Sequence, residues 1–226
     1  MKYLSIILLC LNMTLSNFGF CQDIEQKLTE LEQKVHSSKT LKIVADVYIN
    51  DELKQHFTTY VKGDNVHSYM DKVEIVKNGT IQATIVHDNK KILVSELPAG
   101  ANNENNILYT YKALLPNMSE AYKIREINGD EAYEIILQEQ KSMYKKVQMS
   151  FNTLGHLVEI RLFPKKDYIG SRRIVYKEWS FDLPLKNELF SLKKITKDPS
   201  KWEDLQEEYE DYTVRKILNK EKNAIN

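Results

Sequence analysis

The side chains in this sequence that could do chemistry are few and dispersed. His36, His56, His67, His87 and His156 stand singly, without the paired spacing that brings two imidazoles onto one metal ion. Surface or turn positions are expected for them, and no metal site. Ser150, Ser171 and Ser180 lack the glycine frame of a nucleophile elbow, so acyl-transfer chemistry has no support. Cys10 and Cys21 are the only thiols. No cofactor is implied and no enzyme is expected. Two groups suggest contact instead of catalysis. Lys165, Lys166, Arg172 and Arg173 flank one expected hairpin turn, where they could meet an acidic partner, lipid headgroups or only water. Tyr109 and Tyr111, with Trp202 and Tyr209, either line a groove mouth or pack on a sheet.

Both cysteines fall in a leader-like segment. Met1 and Lys2 are followed by the apolar run YLSIILLCLNMTL, Tyr3 to Leu15, and small residues stand at Gly19 and Cys21. This is the layout of a secretory signal, and cleavage after Cys21 is expected. The apolar run is short of the ~20 residues of a spanning helix. Lipid attachment at Cys21, which would make an outer-membrane lipoprotein, is disfavoured because Phe20 precedes it. The chain from Gln22 onward then has no cysteine, so an exported, periplasmic domain must rest on an ordinary hydrophobic core. The leader holds one of the 32 basic residues and none of the 32 acidic ones, leaving 31 against 32. No global charge attracts nucleic acid.

The elements follow from hydrophobic period. Ile24, Leu28, Leu31 and Val35 recur at helical spacing within Asp23 to Val35. From Leu41 the period becomes two, through Ile49, and strand patterns recur at 57–62, 66–70, 73–76, 80–86, 91–95, 122–127, 133–138, 144–151, 156–163 and 172–179. Turn pairs such as Asn78-Gly79 and Leu154-Gly155 separate them, so a mostly antiparallel meander is expected. Polar residues 102–106 lead into ILYTYKALLP, a short helical segment inserted between strands. Asp198-Pro199 starts a C-terminal helix carrying Trp202, Leu205 and Tyr209. Tyr212 to Leu218 is left as helix or strand.

In order and local pattern the chain resembles the periplasmic outer-membrane lipoprotein carriers, the LolA-like superfamily. DNKKILVSELP, Asp88 to Pro98, matches that family's turn-plus-strand motif, and Ala99 to Pro116 stands where its helical lid follows. SFNTLGHLVEIRLFP and LPLKNELFSL resemble its closing hairpins and late segment. The likeness covers Asp23 to Lys194, and Lys62 is the cation nearest the place of the carriers' lid-latching arginine. The fold implied is mainly β: a strongly curved antiparallel sheet forming an unclosed half-barrel, covered by an N-terminal helix and a short helical lid, with a C-terminal helix. The expected organisation is a signal peptide at 1–21, a half-barrel domain at 22–195 and a C-terminal helical extension at 196–226.

By strand parity the inward set is Ile43, Val47, Phe57, Val61, Ile85, Ile135, Val147, Met149, Phe151, Ile160, Leu162, Ile174 and Tyr176. Ile107, Tyr111 and Leu114 form the inner face of the lid. Alternation alone does not tell an open groove from a filled core, so both readings stand. With a groove, the protein is a monomeric exported carrier or chaperone holding the acyl chain of a lipoprotein or lipid by burial. With a filled core, it is an envelope sensor or interaction module that binds a protein partner.

Overall fold

The computed structural model describes residues 23–97, 117–127, 129–138 and 142–217. Among these residues one α-helix, α1, covers 23–37, and twelve strands follow: β1 Thr40–Ile49, β2 Glu52–Lys62, β3 Asn65–Met70, β4 Val73–Asn78, β5 Ile81–Val86, β6 Lys91–Glu96, β7 Met118–Ile127, β8 Asp130–Leu137, β9 Tyr144–Phe151, β10 Leu157–Pro164, β11 Arg172–Phe181 and β12 Thr213–Ile217. They form one sheet in the order β12-β6-β5-β4-β3-β2-β1-β11-β10-β9-β8-β7. The ends β12 and β7 do not pair with each other, so the sheet is unclosed, as expected.

Two residues separate β1 from β2, β2 from β3, β3 from β4, β4 from β5 and β7 from β8, and each of these strands pairs with the next. Asn50 and Asp51, both at positive φ (50° and 62°), make the tight β1–β2 connection whose twist suits a hairpin. Asp88 to Leu97 is a turn plus strand, with Lys90 left-handed before β6.

The C-terminal helix does not form among the described residues. From Asp198 to Tyr209 the chain makes turns and one short 3-10 stretch, Glu207–Tyr209, and then enters β12, which pairs in parallel with β6. The buried Thr196 explains the departure: its hydroxyl lies 3.1, 3.2 and 2.8 Å from the carbonyls of Asp198, Lys201 and Asp204. Thr196 also bridges to Leu205. A compact knot around one hydroxyl replaces the i to i−4 ladder, and it still buries Trp202 and Tyr209.

The chain divides into two compact units. Among the described residues the first takes in 23–37, 46–54 and 117–177, and the second 38–45, 55–97 and 178–217.

Candidate functional site

In the first unit the register assigns Tyr133, Ile135, Val147, Met149, Ile160, Leu162 and Ile174 to one face, as directly paired residues of β8 to β11. Phe151 and Tyr176 follow by strand alternation. Ile135, Val147, Met149, Phe151, Ile160 and Tyr176 are all buried, and Tyr133 meets Phe151 edge to face at 6.1 Å. Only Leu162 and Ile174, with Val47, stay half-buried.

Helix α1 lies against this face, with Ile24, Leu28 and Leu31 buried along one stripe. Polar contacts at its margins fix it: Lys27 pairs with Glu131, and Lys34 Nζ sits 2.7 Å from His156 Nε2. Tyr133 donates to Glu131 at 3.2 Å. Burial pushes the Glu131 carboxyl up, but hydrogen bonds and charge from Lys123 and Lys27 outweigh it and hold it down at about 2. Burial, and then the charge of Lys34, lowers His156. The inward residues of this unit are therefore the packed underside of a helix.

The second unit differs, because its sheet uses both faces. Pairing carries one face through Val76, Ala83, Val94 and through Glu74, Ile85, Ile92. Leu192, Ile195, Trp202 and Tyr209 of the C-terminal segment close over it, forming one core. Ile85 belongs here, fully buried, on the face opposite Phe57 and Val61, so the expected common face for the three is corrected by the register. Ile43 is also buried.

The opposite face carries Phe57, Met70, Val73 and Val86 as one apolar row across four strands. Val61 and Val66 pair on the same face, as do Thr59 and Ser68, whose hydroxyls are 2.9 Å apart. Ile75, Thr84 and Leu93 align there too. Phe57 is buried at one end of the row, while Val61, Val66, Met70, Val73, Ile75, Val86 and Leu93 are half-buried. Of these, sequence parity named only Phe57 and Val61. The signal for the others is the length of the turns: with two residues between Met70 and Val73, those two must face the same way. The lid residues Ile107, Tyr111 and Leu114 lie outside the described residues.

Two further placements depart from expectation. His67 is fully buried, not at the surface or in a turn, with Nε2 2.6 Å from Glu74 Oε1. The second Glu74 oxygen lies 3.8 Å from His87 Nε2, and His87 Nδ1 meets the Tyr212 hydroxyl at 3.0 Å. This polar chain ties β3, β4 and the turn before β6 to the C-terminal segment. Lys62 donates to the Leu185 carbonyl at 3.0 Å and to Asn187 Oδ1 at 2.7 Å, so this cation anchors the late segment LPLKNELF. Among the described residues no group of three metal-ligating side chains is arranged to hold an ion, and no helix is long and apolar enough to cross a membrane.

No family model and no curated protein matches the sequence. Solved structures do. An uncharacterized conserved protein from Thermus thermophilus aligns over 87% of this chain and 98% of its own, with 7% identity and a TM-score of 0.50. The two share a fold. Lipoprotein LppX of Mycobacterium tuberculosis aligns over 72% of this chain and 98% of its own at 13% identity and a TM-score of 0.44. A LolA superfamily protein from Nitrosomonas europaea aligns over 68% and 90% at 11% identity and 0.31.

Proposed function

We propose that the protein is an exported envelope carrier that holds an acyl chain of a lipoprotein or lipid on the half-buried face of the second unit. The observation that supports this reading is the asymmetry of that sheet. One face is filled by the C-terminal segment, while on the other, beyond the buried Phe57, the row Met70, Val73 and Val86, with Val61, Ile75 and Leu93 around it, is only partly covered. Apolar surface left half-covered costs stability unless a ligand completes its burial, at ~25 cal/mol per Å². A carrier needs such burial and little directed bonding, since an acyl chain offers no hydrogen-bonding groups.

In this reading the signal peptide is removed after Cys21, and the carrier is not complete at residue 195, because Trp202 and Tyr209 fill one face of the second unit and β12 belongs to its sheet. Segment 99–116, between β6 and β7 in sequence, is assigned the role of a lid, with Ile107, Tyr111 and Leu114 as the side chains that would yield to the ligand. The inward residues of the first unit, from Ile135 to Tyr176, serve as scaffold.

The test is lipid extraction and native mass spectrometry on protein recovered from the envelope, with titration of a fluorescent fatty acid. Ile75→Asp should abolish saturable binding, because it places a charge in the band, whereas Ile124→Asp, on the half-exposed outer strand β7, should leave it intact. Protein that carries no lipid and shows no saturable uptake would overturn the proposal and leave the interaction-module reading.

A further inference from the structure

One end of the first unit brings together an excess of cations and three protruding apolar side chains. Three connections meet there. The β1–β2 turn is bonded to the start of β11, with Asn50 N donating to the Ser171 carbonyl and Ser171 N to Asn50 Oδ1, both at 3.0 Å. The β10–β11 connection is joined to the start of β9 by Lys165 N donating to the Met143 carbonyl at 3.0 Å. Gly170, at φ +74°, lets these loops close up, since an added Cβ would lie 3.0 Å from the Asn50 side chain. Leu53, Met143 and Tyr168 stand out from these connections at 56%, 60% and 81% exposure.

Charge is concentrated at the same end. Segments 50–54, 142–146 and 163–173 hold seven Lys and Arg against three Asp and Glu, in a chain whose formal net charge is +0. Two of the three acids already have cations, Asp51 3.6 Å from Arg173 and Glu52 2.5 Å from Lys54, and Lys146 is paired with Glu134 at 2.8 Å, which leaves Lys145, Lys165, Lys166 and Arg172 as the cations that carry the excess. The third, Asp167, sits beside Lys166 in sequence. Lys145, Lys166 and Arg172 are exposed and Lys165 half-exposed, and Lys166 Nζ stands 5.7 Å from the centre of the Tyr168 ring.

From this we infer that this end of the first unit docks on an anionic lipid bilayer. Its composition is that of an interfacial surface: an aromatic ring with a polar tip, flexible apolar side chains, and cations around them. A protein partner fits less well, because a specific interface wants roughly 800 Å² of continuous surface on each side. Here the apolar groups are three separate tips, each able to enter the headgroup layer by itself. The inference does not depend on the acyl-carrier reading.

Flotation of the chain recovered from the envelope tests it, using vesicles of phosphatidylcholine alone and of phosphatidylcholine with one-third phosphatidylglycerol. Binding should require phosphatidylglycerol and weaken with salt. The double variant Lys165→Gln, Lys166→Gln should lower partitioning about twenty-five-fold, at roughly fivefold per cation. Tyr168→Ser should lower it severalfold while circular dichroism stays unchanged, since this side chain is almost wholly exposed. Equal binding to both vesicles, or none to the anionic ones at low salt, overturns the inference. So does an unaffected Tyr168→Ser variant whose vesicles are displaced by soluble polyglutamate, which would mark the surface as a dock for an acidic protein.

Discussion

Replacing Ile85 by Ala separates the two faces of the second unit by free energy. Ile85 is fully buried in the cluster that includes Ile92, Trp202 and Tyr209. The substitution removes three carbons, about 2.4 kcal/mol of transfer free energy at ~0.8 per methylene. The cavity left under a sheet packed on that side adds about 1, so the loss is about 3–4 kcal/mol, within the span measured for such truncations. The comparison is Val73→Ala on the opposite face. Two carbons go from a half-buried site, where only about half of the transfer term applies, and the loss is about 0.8 kcal/mol. Urea unfolding followed by tryptophan fluorescence reads both, because Trp202 lies in the Ile85 cluster. Equal costs, or a larger cost at Val73, would refute the assignment of a filled and a half-covered face, and with it the placement of the ligand.

Two more outcomes follow from the first unit. Glu131 titrates at about 2 folded against 4.5 ordinarily, a depressed carboxyl, so its stabilisation is present above pH ~4.5 and lost as pH falls toward 2. Discounted for partial solvation, that is about 1–2 kcal/mol, and Glu131→Gln should lose it at neutral pH and flatten the acid limb of a pH–stability profile. Gly170→Ala, at positive φ and with its new Cβ 3.0 Å from Asn50, should cost about 1–3 kcal/mol by thermal or urea unfolding.

Much of the fold is written locally. The helix at 23–37 follows from the stripe Ile24, Leu28, Leu31, and the strands from alternation between turn residues whose left-handed conformations are intrinsic to Asn, Asp and Gly. β9 was legible to the residue, because Tyr144 to Phe151 is bounded by breaks on both sides. What period cannot supply is which side of a strand something else will cover. Ile81, Ala83 and Ile85 alternate as cleanly as Phe57, Thr59 and Val61, yet they face the other way, because a segment more than a hundred residues later folds back over them. The same long-range contacts turned Trp202 and Tyr209 from an expected helix into a turn-rich cover knotted at Thr196, and made Thr213–Ile217 a strand added in parallel to β6. They also brought His67, Glu74, His87 and Tyr212 together from four separate elements. Local spacing determines which residues can share a face. Which face is filled and which stays half-covered depends on contacts between distant segments, whose free energy is set by packing in the folded chain and leaves no periodic trace in the sequence.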